Sequence, residues 1–131
     1  MSVPVATAFQ TAFEQRDFGP AATVLADDVV FRSPVLHRPW CTRAVLEQLG
    51  PAMVGVFDDI AFEPVIVGAG RAVLTYAGRV GELDAESVLL LDIDDEGLVC
   101  DMAILVRPLS ALQAVAAAMA AALDPALLAA H

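Results

Sequence analysis

Between residues 60 and 106 the segments IAFEPVIV, RAVLTYAGRV, AESVLLLDI and LVCDMAILV follow one another. Each is rich in β-branched and apolar residues, and glycine or acidic turn residues separate them, which is the pattern of successive strands. The chain before them is mostly helical in character. Val5, Phe9 and Phe13 stand four residues apart between Val3 and Gln15, so they share one face of a helix. The run FGPAATVLA predicts a second short helix, with Pro20 tolerated in its first turn. A strand over Asp28 to Pro34 and a loop over His37 to Thr42 lead to a third helix ending near Val56. Thr42 caps it, Leu46, Leu49 and Met53 face inward, and Pro51 predicts a kink. A further helix spans about Leu109 to Leu123 and stops at Asp124-Pro125. Helices first and an antiparallel meander after them indicate an α+β fold with helices on one sheet face. No repeat or linker divides residues 1–131, so a single domain is expected.

At 131 residues the chain is long enough to bury a core without disulfide or metal staples. It is 58% hydrophobic and 18% charged, too apolar for disorder. That surplus of apolar surface, and a strand SVLLLDI that is apolar on both faces, predict a homodimer. A net charge of −10 argues against nucleic acid and against anionic membrane surfaces, because there is no basic stripe to meet phosphates. No lysine occurs, which excludes Schiff-base chemistry by a lysine amine. Cys41 and Cys100 form no CxxC pattern, and Met1-Ser2-Val3-Pro4 does not open a signal peptide. Reduced thiols and a cytoplasmic location are therefore expected, and alanine abundance without lysine points to a GC-rich bacterial genome. The apolar run from Leu109 to Ala130 approaches membrane-spanning length, but Ser110, Gln113 and Asp124-Pro125 interrupt it. Packing against the domain or a second copy is expected instead.

The order of these elements, together with ADDVVFRSPV at residues 26–35 and DDEGLVCDMAILVRP at residues 94–108, resembles the nuclear transport factor 2-like superfamily. That group includes ketosteroid isomerase, SnoaL-like polyketide cyclases and limonene epoxide hydrolase. The resemblance covers nearly the whole chain through loose motifs, and it speaks to fold more than to activity. It implies a cystatin-like cone: a strongly curved antiparallel sheet wrapped around N-terminal helices, plus a C-terminal helix, with an apolar pocket at the open end and dimerisation through the outer sheet face. Matched to ketosteroid isomerase, the general-base aspartate falls on Ser33, the oxyanion-stabilising tyrosine on Phe9 and the protonated aspartic acid on Leu89. None of the three can perform those roles. The Asp-Arg-Asp set of the epoxide hydrolases is broken as well, because Gly81 stands two residues after Arg79. For SnoaL-like chemistry Asp101 and Asp92 are the nearest acids, and the same matching puts both on the outer face.

With Phe9, Ser33 and Leu89 marking the cavity, strand alternation adds Val29, Phe31, Leu74, Tyr76, Leu91, Met102 and Ile104, with His37 and Trp40 at the mouth. Ser33 either orients a ligand carbonyl or satisfies backbone at the strand end. Tyr76 is either a core residue with one hydrogen bond or the pocket's main polar contact. A nucleophilic Ser33 lacks a supported base, since no acid stands behind His37. Arg32 points outward toward an acid, and Arg107 meets a carboxylate at the sheet edge or in a dimer. DIDDEG, from Asp92 to Gly97, imitates the start of a calcium loop, yet its twelfth position is Ala103 and it joins two strands, so it reads as a hairpin turn. No metal and no cofactor are expected. The leading expectation is a binder of a small hydrophobic molecule, polyketide-like or steroid-like as the resemblance implies. Two alternatives stay open: a SnoaL-like isomerase, cyclase or lyase using Tyr76 or Asp101 for proton transfer, and a non-catalytic dimeric interaction module.

Overall fold

Helix α1 (Ser2–Gln15) opens the computed structural model, which describes residues 2–131. Val5, Phe9 and Phe13 are buried along one stripe of it, as their spacing dictates. Helix α2 (Gly19–Ala22) is much shorter than the run FGPAATVLA predicts. The Val24 carbonyl instead accepts a hydrogen bond from the Val99 amide at 2.8 Å, which pulls the chain into strand β1 (Leu25–Arg32) ahead of Asp28. Exposed Asp27 and Asp28 sit where the register slips between Leu25 and Val30. That irregularity hides the start of the strand from a simple alternation count.

Strand β2 (Trp40–Cys41) lies within the predicted loop, and α3 (Arg43–Gly55) follows. The Thr42 hydroxyl caps α3 by accepting from the Val45 amide at 3.4 Å, and Leu46, Leu49 and Met53 are buried. The helix runs on through exposed Pro51. At Gly50 a Cβ would stand 2.2 Å from the Phe18 ring, so this glycine is what lets α3 approach the segment before α2.

Six more elements carry the sheet and its cover: β3 (Asp58–Phe62), β4 (Ile66–Gly68), β5 (Arg71–Val80), β6 (Leu83–Ile93), β7 (Val99–Arg107) and α4 (Leu109–Ala122). Helix α5 (Pro125–Ala130) comes last. IAFEPVIV is divided around Pro64, which has no N–H for a ladder. Asp124-Pro125 ends α4 and also starts α5, because the Asp124 carboxylate accepts from the Ala126 amide at 2.9 Å with proline in the first turn. The sheet runs β2-β1-β7-β6-β5-β3, with β4 on β5. All its ladders are antiparallel except β1 with β7, which is parallel and pairs Phe31 with Met102. The expectation of a wholly antiparallel sheet is corrected at that one ladder. Parallel neighbours need a long crossover, and about half of the chain lies between these two strands.

Register then divides the sheet into two faces. On the helix-covered face, cross-strand rows run Ala72–Leu91–Met102–Phe31, Leu74–Leu89–Ile104 and Tyr76–Ser87–Val106. On the outer face, Val73–Leu90–Ala103 and Thr75–Val88–Leu105 form an apolar band. Ion pairs bound that band: Arg71 with Asp92 at 2.6 Å, Arg32 with Asp101 at 2.8 Å, and Arg107 with Glu86. The turn from Asp94 to Leu98 is a hairpin in which the Asp94 carboxylate accepts from the Glu96 and Leu98 amides at 2.9 and 3.0 Å. Its Gly97 takes φ +81, a conformation glycine adopts without strain. Among the described residues no helix is long and apolar enough to cross a membrane.

Candidate functional site

An apolar cavity of about 150 Å³ opens between the sheet, α3 and the α4–α5 segment. Phe31, Ile104, Tyr76 and Val106 line it from the sheet, Leu49 and Met53 from α3, and Val115, Met119 and Leu123 from α4 and its end. Leu128 of α5 and the loop residues Val35 and Leu36 meet at its rim. Ser33, Tyr76 and the Trp40 indole are the polar side chains of this lining, and it contains no carboxylate, imidazole or guanidinium among the described residues.

Of the pocket residues expected from sequence, Phe31, Ser33, Trp40, Tyr76 and Ile104 lie on this cavity. Phe9, Val29, Leu74, Leu89, Leu91 and Met102 do not, which corrects their assignment to the pocket. They are buried in the core, all at 2% exposure or less. Alternation correctly puts all but helical Phe9 on the covered face, but it does not separate Phe31, Tyr76 and Ile104, which border open space, from Leu74, Leu89, Leu91 and Met102, which packed side chains cover. His37 is exposed on its loop and away from the lining, a second correction. Asp101 is paired with Arg32 on the outer face, where the matching had put it, and does not reach the cavity. The Arg71 guanidinium holds the Asp92 carboxyl below its ordinary value on that same face. Leu49, Met53 and the residues of α4 and α5 are lining that the strand count alone does not reveal. The inward spacing Leu46–Leu49–Met53 is the signal in sequence for the α3 wall.

Ser33 sits at the end of β1 and its hydroxyl is engaged by its own loop. It accepts from the Leu36 amide at 2.9 Å and the Val35 amide at 3.3 Å, and donates to the Leu36 carbonyl at 3.4 Å. That arrangement folds Val35 and Leu36 over the rim, an ST-type turn. Tyr76 stands in a nest of rings, with Phe62 at 5.1 Å, Phe57 at 5.4 Å and Phe13 at 5.5 Å between centroids. Burial pushes its phenol up to about 12, against the Ser87 hydroxyl, which acts the other way. Ser87 pairs with Tyr76 across β5 and β6 and donates to the Leu105 carbonyl at 3.0 Å. Near neutral pH Tyr76 is therefore a proton-holding donor and no base. Burial also pushes the Cys100 thiol up. No group of three or more potential metal ligands occurs among the described residues.

At the rim, Trp40 is stacked face to face on His131, with centroids 3.6 Å apart and planes 6° from parallel. The Arg38 guanidinium donates to the His131 carbonyl at 2.6 Å, and His131 Nε2 lies 2.9 Å from the Arg38 carbonyl.

No family model matches the sequence, and no curated protein matches it. Solved structures do. A steroid delta-isomerase from Pseudomonas aeruginosa gives a TM-score of 0.83 at 29% identity, over 89% of this chain and 87% of its own. A bacterial protein with a cystatin-like fold from Silicibacter pomeroyi DSS-3 gives 0.85 at 26% identity, over 90% and 84%. An NTF2-like protein from Burkholderia xenovorans LB400 gives 0.68 at 15% identity, over 86% and 93%, a likeness of fold. A curled, unclosed sheet clasping helices around an apolar hollow defines the α+β cone of the cystatin-like class. Within that class, the chain shares the nuclear transport factor 2-like fold.

Proposed function

We propose that the protein binds a small hydrophobic molecule in the cavity between the sheet and the α4–α5 segment, and that it does so without turning it over. The observation that carries this reading is the lining itself: hydrocarbon and thioether surface, a serine engaged by backbone, a phenol that keeps its proton and an indole. Enclosed apolar surface with a few polar groups is what small-molecule sites are built from. The resemblance to a steroid delta-isomerase supports an apolar ligand. Moving a proton beside a ketone needs a base near the ligand, and the lining offers none. Asp101, the other acid considered for proton transfer, faces outward beside Arg32.

The test is thermal shift and calorimetry with apolar ketones of increasing size. Binding is expected to raise the melting temperature in step with ligand concentration. Tyr76→Phe is expected to weaken a ketone about five- to tenfold, the worth of one hydrogen bond, and to leave hydrocarbons unaffected. Ser33→Ala is expected to lower stability with little change in affinity. No melting shift with any compound would turn the reading toward an interaction module. We propose as well that two copies pair through the outer face, because the band from Val73 to Leu105 is apolar and is bordered by ion pairs.

A further inference from the structure

Helix α5 is six residues long and none of them is buried, although Leu128 reaches the cavity rim. A break at Leu123 and Asp124, where the backbone is extended, joins it to α4. Beyond it, the stack of His131 on Trp40 and the two hydrogen bonds with Arg38 fasten the segment to the loop before β2. Trp40 is itself buried and lines the cavity, so the fastening and the cavity share one side chain. A short element with a hinge at one end and a clasp at the other has the mechanics of a strap. The volume beneath it is about 150 Å³. An apolar cavity of about that size accommodates a single benzene ring, well below the roughly 300–1,000 Å³ of sites that enclose drug-sized molecules.

We propose that the strap from Leu123 to His131 sets the size of ligand the cavity takes: a compact, single-ring hydrophobic molecule while His131 is stacked on Trp40, and larger fused rings only after that clasp is released. The inference rests on the proposed binding function and adds to it the ligand's size class and the element that enforces it. It narrows the steroid-like expectation, since a four-ring skeleton does not fit beneath the fastened strap.

The test uses the whole chain, His131→Ala and Arg38→Ala, with toluene, naphthalene and a four-ring steroid ketone as probes. Calorimetry reads affinity and stopped flow reads release. Trp40 is the only tryptophan, so its emission reports the clasp directly, before any ligand is added. Both substituted positions are at the rim, and retention of the melting transition shows that each variant folds. In the unaltered protein toluene is expected to bind and the steroid to bind at least about tenfold more weakly, because the space beneath the fastened strap is the size of a single ring. Each variant is expected to shift Trp40 emission and to release toluene about three- to tenfold faster, His131→Ala through loss of the aromatic stack and Arg38→Ala through loss of the hydrogen bond that holds His131 in place. Each is also expected to gain affinity for the larger probes. A steroid that binds the unaltered protein more tightly than toluene overturns the size limit while leaving the binding function standing. Unchanged emission, release and size preference in both variants overturn the strap alone. Absence of binding by every probe to all three proteins overturns the binding function and this inference with it.

Discussion

Tyr76 is the only tyrosine, so its ionisation can be followed without interference. Its phenol ionises near 12 when folded and near 10.0 in the reference state, so the folded chain holds the proton more tightly. Stability is thus complete below pH 10 and falls as pH rises toward 12, by about 2–3 kcal/mol over that window. Absorbance at 295 nm is expected to stay flat through pH 10 and to rise together with loss of folded circular dichroism; a reversible titration centred at 10 in the folded protein contradicts the burial. Ser33→Ala removes three contacts from an intermediate-exposure loop residue and is expected to cost about 1 kcal/mol in urea denaturation. At this scale the sequence shows which side chains face inward, because alternation assigns Tyr76, Leu89 and Ile104 to one face. It does not show which of them touch empty space, because that depends on how the helices pack over the sheet. Ser33 illustrates the same limit, since a hydroxyl at a strand end reads equally well as ligand contact or loop fastening until Val35 and Leu36 are placed.

Elements whose signals are local were legible. The strand RAVLTYAGRV is β5 from end to end, and the Asp124-Pro125 pair marks the close of α4. Elements defined by distant partners were not. Strand β1 starts at Leu25 because of Val99, and two-residue β2 exists because of β1. Helix α5 carried its own signal, since an aspartate before a proline is a helix start as well as a stop. The packing of α3 yields a prediction that belongs here. Gly50→Ala drives a methyl into the Phe18 ring and is expected to lower stability by about 1–3 kcal/mol, read as a lower urea midpoint with an unchanged slope. By contrast, Asp101→Asn breaks a partly exposed ion pair across β1 and β7 and is expected to cost at most about 1 kcal/mol.

For the molecule as a whole, the outer band places Leu105, 52% exposed, beside Val88 and Thr75. Sedimentation velocity is expected to give about twice the 13.7 kDa chain mass, and Leu105→Glu to give the chain mass with its melting transition retained. A monomeric parent protein contradicts the pairing. The parallel ladder between β1 and β7 carries a different consequence. It ties Phe31 to Met102, so the sheet has no place for its first strand until its last has been made. High contact order of this kind slows folding. During synthesis the apolar stripe of α1 and the inner residues of β1 must wait on the ribosome for about seventy more residues, a stretch of several seconds at ordinary elongation rates. A chain this oily and without lysine therefore meets its greatest aggregation hazard before it is finished, and chaperone depletion should reduce its soluble yield more than any single exposed-surface substitution does.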